Sequence, residues 1–198
     1  MTSGSHMTAE EQAAYEIQRH RAWVFRSQLP ANLVRTFDEL DDHEWQREAM
    51  AKAKAWGRGE FPGLLLSGKV GTGKSQIAAA ALIERCRMEQ VQYVSASELG
   101  FLARSGYETE ARDRANEVLL GDGALFLDDI DKGKQNDYGT ELIFQLVDRR
   151  TSRNSPLIVT TNVSAKKMAE LVGEAVVSRI IGHCELVKVP GEVDLRWK

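Results

Sequence analysis

Lys74 and Ser75 close an eight-residue stretch, Gly68-Lys69-Val70-Gly71-Thr72-Gly73-Lys74-Ser75, that fits the spacing G-x-x-x-x-G-K-[ST]. Glycines there let a loop turn tightly enough for its backbone N–H groups to converge on a phosphate, and a helix opening at Lys74 adds its positive end. In that chemistry Lys74 reaches the β- and γ-phosphates of a nucleoside triphosphate and Ser75 takes a place on Mg²⁺. The binding stretch as a whole is expected to run from Gly68 to Gln76. A Gly-rich turn with an accidental lysine is the bland alternative. The apolar run Gly63-Leu64-Leu65-Leu66-Ser67 before the loop, and helix-spaced Ile77, Ala78, Ala81 and Leu82 after it, argue against that alternative.

Hydrolysis of a triphosphate also needs an acidic group facing the metal from a neighbouring strand. Asp128 and Asp129 follow the apolar run Ala124-Leu125-Phe126-Leu127. Asp128 is expected to hold the Mg²⁺ shell and Asp129 to orient or deprotonate the attacking water. Asn162 follows Leu157-Ile158-Val159-Thr160-Thr161, where its amide is placed to position the same water. Arg179 is a lone charge within Val176-Val177-Ser178-Arg179-Ile180-Ile181 and has two readings, a salt-bridged structural residue or a finger that reaches a neighbouring subunit's phosphates. Alone, a carboxylate or amide at a strand end is often a cap or a turn. With the upstream loop, these residues outline one site for ATP and ADP with Mg²⁺, and an ATPase activity.

The elements that must hold them read as an alternation of strands and helices. The loop follows the strand Gly63 to Ser67, and a helix runs from Ser75 to Arg87 with one face toward a sheet. Val91-Gln92-Tyr93-Val94 reads as a second strand, and Ser95 with Glu98 resembles a capping box opening the next helix. Leu142, Ile143, Leu146 and Val147 form the apolar stripe of a helix between the Ala124 and Leu157 strands. Strands apolar throughout, separated by amphipathic helices, predict a mostly parallel sheet covered on both faces. Upstream, Asp41 to Trp56 reads as one helix stopped at Gly57-Arg58-Gly59. Residues Ala9 to Val24 form a charged, helix-prone arm closed by Pro30. The opening Met1-Thr2-Ser3-Gly4-Ser5-His6-Met7 looks like an expression-vector remnant, so the expected division is 1–7 remnant, 8–32 helical arm and 33–198 nucleotide-binding domain.

A chain of 198 residues with 42% hydrophobic content is long enough for one well-buried core. Nothing in it has the apolar length to span a bilayer or the pattern of a signal peptide, which predicts a cytoplasmic protein with no membrane partner. Its two cysteines, Cys86 and Cys184, have neither disulfide-framework nor zinc-site spacing. A net charge of −3 does not advertise nucleic-acid binding, so any DNA contact must come from a local patch. Lys132, Lys134, Arg149, Arg150 and Arg153 are the candidates for it, against the alternative of a solvated basic face.

The succession of Gly68 to Ser75, Tyr93-Val94-Ser95-Ala96, Asp128-Asp129-Ile130, Pro156 to Asn162 and Ser178-Arg179-Ile180 resembles the AAA+ ATPases. Within them it is most similar to the bacterial helicase loaders of the DnaC and DnaI type and their relative, the IstB transposition ATPase, from about Leu33 to Pro190. The resemblance implies a three-layer αβα P-loop NTPase (AAA+ core) with a mostly parallel five-stranded sheet. It also implies an N-terminal helical arm that binds a helicase and no C-terminal helical lid domain. Asn162 becomes the sensor residue and Arg179 an arginine finger acting in trans. Asp129 stands where most AAA+ ATPases carry Glu, which implies slow hydrolysis. The implied function is an ATP-dependent helicase loader in DNA replication that assembles as a homo-oligomer with a replicative DNA helicase and single-stranded DNA. The alternatives are an IstB-like transposition ATPase on duplex DNA, a small-molecule P-loop kinase, and an adaptor that binds ATP without hydrolysing it. The kinase reading lacks an arginine-rich lid between Ser95 and Asp128.

Overall fold

Apolar side chains that alternate sides along the central strands set the layering. The computed structural model describes residue 8, residues 28–104, 109–133 and 137–191, and residues 194 and 195. Strand β1 (Gly63–Ser67) sends Leu64 and Leu66 to one face and Leu65 to the other. Strand β3 (Ala124–Asp128) divides Ala124 and Phe126 from Leu125 and Leu127, and β4 (Leu157–Thr161) divides Ile158 from Leu157 and Val159. Each strand is therefore apolar on both faces, as a strand covered by helices on both sides must be. With β2 (Val91–Ser95) and β5 (Cys184–Lys188) they form one five-stranded sheet in the order β2-β3-β4-β1-β5, and every ladder in it is parallel.

Helices α1 (Arg47–Gly57) and α2 (Lys74–Arg85) cover the first face. Trp56 and Ala53 from α1 and Ile77, Ala78 and Leu82 from α2 are buried with Leu64, Leu66 and Phe126. The small residues Ala78 to Ala81 let α2 lie close on the strands, and it reaches all of β1 to β4. Helices α3 (Ala96–Arg104), α4 (Thr109–Leu120), α5 (Asp137–Ser152), α6 (Ala165–Val172) and α7 (Glu174–His183) lie on the second face. Leu99, Val118, Ile143, Leu146, Met168 and Ile180 are their fully buried anchors. The result is a parallel sheet covered by helices on both faces, as the residues predict, in the three layers that the resemblance implies.

Three expectations change. The stretch 41–56 is not one helix: His43 is extended (φ −108°, ψ 130°), a 3-10 turn follows at Glu44–Gln46, and α1 begins at Arg47. The His43 ring stacks on Trp45 with centroids 4.4 Å apart, and Gln46 turns inward to the phosphate-binding loop, so tertiary contacts override a helical pattern. Two helices, not one, connect β2 to β3. The basic patch also disperses. Arg150 is 1% exposed and donates to the carbonyl of Gly123 and to Gln92 Oε1 (2.9 Å), with its pKa lowered by burial to about 10. Arg149 donates to the Leu120 carbonyl at 3.2 Å and Arg153 faces Asp122 at 3.8 Å. Lys132 lines a cavity at the C-terminal ends of the strands, and Lys134 is outside the described residues. Most of the arm at 8–32 is outside them as well. Among the described residues no α-helix follows β5, and no helix is long and apolar enough to cross a membrane. Both cysteines are buried and neither forms a disulfide, and burial pushes the Cys184 thiol up to about 12.

Candidate functional site

Strand order brings the candidate residues together. β3, β4 and β1 are adjacent, so their C-terminal ends present Asp128 and Asp129, Asn162 and the loop 68–73 side by side. Open α/β sheets bind ligands at such a place, outside the carboxyl ends of the strands. The loop leaves β1 and enters α2 through Gly71 (φ +80°) and Gly73 (φ +85°), a left-handed conformation that side chains oppose. A Cβ at Gly73 would also lie 2.4 Å from the Gln46 amide nitrogen. That amide donates to the Thr72 carbonyl (2.7 Å), and the Leu195 backbone N–H donates to the Gly71 carbonyl (2.9 Å). The loop's outward carbonyls are thus held from two other parts of the chain.

Lys74 is 4% exposed and its ammonium donates to the Lys69 carbonyl at 2.7 Å, as the Thr72 hydroxyl does at 2.9 Å. Burial lowers the Lys74 pKa below its ordinary value, and the carboxylates of Asp129, Asp131 and Asp128 oppose that shift. Ser75 Oγ donates to Asp128 Oδ1 at 2.8 Å. Asp128 also accepts from the Thr160 hydroxyl and, at 3.3 Å, from the Tyr93 hydroxyl. Burial raises the Asp128 pKa above the ordinary aspartate value, only partly offset by these hydrogen bonds. Thr160 and Tyr93 carried no sequence signal by themselves. The signal lies in the register: Phe126 pairs with both Tyr93 and Ile158, so the same face two residues along β3 and β4 holds Asp128 beside Thr160.

Asp129 has φ 50° and ψ 52°, a region that few residues other than glycine adopt and that Asp tolerates better than most. Its backbone N–H donates to Thr160 Oγ1 (2.8 Å), which fixes that turn. Its carboxylate accepts from Asn162 Nδ2 at 2.8 Å on Oδ1 and from the Lys132 ammonium on Oδ2. Asp131 holds the other side of Asn162, accepting from its backbone N–H (2.8 Å), from Thr161 Oγ1 (2.9 Å) and from Nδ2 (3.3 Å). Sequence reading missed Gln46 and Asp131. The first lies far upstream, and the second follows the Asp128-Asp129 pair without a motif position of its own.

A cavity of about 360 Å³ opens over these groups, within the range of small-molecule sites. Val70, Gly71, Gly73, Lys74, Ser75, Gln76, Asp128, Asp129, Lys132 and Asn162 line it, with Leu33 and Leu195 at its rim. Gly68, Lys69 and Thr72 shape the loop from behind. Arg179 is not in the cavity. From α7 its Nε donates to Asp148 Oδ1 on α5 at 2.6 Å, and its guanidinium lies 4.9 Å from the Phe144 ring centroid.

The donor set suits a hard cation, with a hydroxyl and a carboxylate already 2.8 Å apart at the cavity floor. Magnesium takes only one or two protein oxygens beside phosphates and water. Two lysines, two carboxylates, a hydroxyl and an amide thus converge on one cavity.

Residues 4–198 match the family described as IstB-like ATP binding protein. The replicative helicase loader DnaC of Escherichia coli strain K12 is 30% identical over 145 residues, 69% of this chain and 58% of that protein. DnaC of Buchnera aphidicola subsp. Acyrthosiphon pisum strain APS is 29% identical over 150 residues, 70% of this chain and 59% of that protein. The chain thus spans somewhat over half the length of the curated relatives it matches. Among solved structures, the DnaC helicase loader superposes with a TM-score of 0.70 at 23% identity, covering 81% of this chain and 99% of that one. DnaI gives 0.70 at 17% identity over 82% and 95%. AMPPCP-bound DnaA from Aquifex aeolicus gives 0.66 at 22% identity over 82% and 52%. At these identities the structural likeness speaks for the fold.

Proposed function

Since the chain belongs to the family of IstB-like ATP binding proteins, we propose that it is an ATP-dependent helicase loader of DNA replication. It binds ATP and Mg²⁺ in the cavity at the ends of β1, β3 and β4. It assembles with further copies of itself and with a replicative DNA helicase on single-stranded DNA, and slow hydrolysis to ADP resets it. The observation that carries the nucleotide part is the convergence of Lys74, Ser75, Asp128, Asp129 and Asn162 on one cavity, with Ser75 hydrogen-bonded to Asp128 and Asn162 to Asp129. The helicase part rests on the relatives, which are named replicative helicase loaders.

Backbone N–H groups of Gly71 to Lys74 and the Lys74 ammonium would hold the β- and γ-phosphates. Ser75 and Asp128 would hold Mg²⁺, which draws charge from the phosphate oxygens when bound. Asn162 would orient a water toward the γ-phosphorus, and Asp129 would take its proton as the new P–O bond forms and ADP leaves. Asp129 is one methylene shorter than Glu, which favours a slow switch over a motor. Arg179 would act on a neighbouring subunit's nucleotide.

The test is a titration of the protein with a replicative helicase, with and without ATP and single-stranded DNA, read by light scattering and phosphate release. A nucleotide-dependent complex that forms with the helicase is the expected result. The family's description keeps a second reading in view, an IstB-like transposition ATPase. ATP-dependent assembly on duplex DNA, with no helicase complex, would establish that reading instead.

A further inference from the structure

Lys132 stands out among the charged groups around the cavity. The left-handed turn at Asp129 folds the chain back, the Lys132 backbone N–H donates to the Asp129 carbonyl (2.8 Å), and the side chain returns over the carboxylate two carbons away from that carbonyl. Lys132 thus lines the same cavity as Lys74. The two lysines differ in freedom: Lys74 is buried on the Lys69 carbonyl, whereas the Lys132 side chain is 56% exposed. Both oxygens of Asp129 are meanwhile occupied, Oδ1 by Asn162 and Oδ2 by Lys132. A carboxylate held by an ammonium and an amide is a poorer base for a water proton, so withdrawal of one donor would favour Asp129 acting. Asn162 is tethered by Asp131 at both its backbone N–H and its side-chain amide, and Lys132 is not.

We propose that Lys132 reads the terminal phosphate: its ammonium leaves Asp129 Oδ2 for the γ-phosphate of ATP, frees that oxygen to face the attacking water, and stays on Asp129 when ADP is bound. The inference rests on the cavity being a nucleotide site. A terminal phosphate carries more negative charge than a carboxylate and offers more acceptor oxygens, so it competes for an exposed ammonium that is already within the cavity. The exchange couples recognition of the triphosphate to release of the base, and ADP, which lacks the third phosphate, leaves the pair closed.

Calorimetric titration with Mg²⁺-AMPPCP and Mg²⁺-ADP tests it, on the full chain and on Lys132→Met. Loss of the contact should weaken AMPPCP by about ten-fold while ADP changes by less than about two-fold. Removing Lys132 also leaves Asp129 uncompensated beside the phosphate, so the comparison is repeated in the Asp129→Asn background. There the ten-fold loss for AMPPCP should persist, and Lys132→Arg should restore most of it. No loss in that background would reduce Lys132 to a counter-ion of Asp129 and overturn the inference, as would an equal loss for both nucleotides. A wild-type chain that binds neither nucleotide would overturn the reading of the cavity and this inference together. Wild-type binding with an unchanged preference in Lys132→Met would overturn this inference alone.

Discussion

Asp128 shows at the scale of one residue how a site works against its own fold. It lies buried among the Thr160, Ser75 and Tyr93 hydroxyls, and burial raises its pKa above the ordinary 3.8 despite those hydrogen bonds. Between 3.8 and the raised value the folded chain holds a proton that the unfolded chain has lost. Stability from this group therefore falls as pH rises through that window and is level above it. At neutral pH the buried charge is a cost that a bound cation would offset. Asp128→Asn should thus raise the Tm of the nucleotide-free chain by a few degrees, the scale on which about 1 kcal/mol registers in a domain of this size. The same change should remove the dependence of nucleotide affinity on Mg²⁺. A variant that melts lower than the parent at pH 7 would show that the hydrogen bonds outweigh burial. The aspartate was legible in the sequence because an apolar run ended on it. Its neighbours Tyr93 and Thr160 were not, because they act only through strand register, which no local pattern specifies.

At the scale of elements, strands β1 to β4 and the helices α2, α5 and α7 follow their apolar spacing, and the 3-10 turn before α1 departs where a tertiary partner intervenes. The 3-10 turn Glu44–Gln46 replaces a helical turn because Gln46 is drawn onto the phosphate-binding loop, where its amide binds the Thr72 carbonyl with 5% of the residue exposed. The Leu195 N–H holds the adjacent Gly71 carbonyl from the other end of the chain. These two donors satisfy the Thr72 and Gly71 carbonyls, while the Lys69 carbonyl is satisfied locally by Thr72 and Lys74. Gln46→Ala removes one and leaves a buried acceptor unpaired, a loss of about 1–3 kcal/mol. The expected result is a lower urea midpoint with unchanged m-value, together with weaker nucleotide binding from a less ordered loop. Full stability in the variant would mean that water replaces the amide and that the turn plays no part in shaping the site.

The whole molecule carries a net charge of −3, and the arginines that might have formed a DNA-facing patch divide: Arg150 lies in the core, Arg149 donates to the end of α4, and Arg153 stays half exposed 3.8 Å from Asp122. Arg179 is the informative exception, since its place on α7 lies apart from the chain's own cavity. There it is tied to Asp148 and stacked on Phe144, with the Arg179 and Asp148 side chains 36% and 46% exposed. A pair that exposed contributes between nothing and about 1 kcal/mol, so it does not by itself account for a charge set in an apolar helical run. The structural pair is what the geometry shows, and a finger would need the same guanidinium to turn to a neighbour, so the two sequence readings share one starting point. They part in their consequences. As a finger, Arg179→Ala should leave the Tm and ATP affinity of the isolated chain nearly unchanged and lower assembly-stimulated phosphate release by about 10³-fold or more. Asp148→Asn, which frees the guanidinium without removing it, should keep that stimulation. As a structural residue alone, Arg179→Ala and Asp148→Asn should behave alike, with a small loss of stability and normal stimulated turnover. Phosphate release measured with the assembled partner present, for both variants side by side, separates the two.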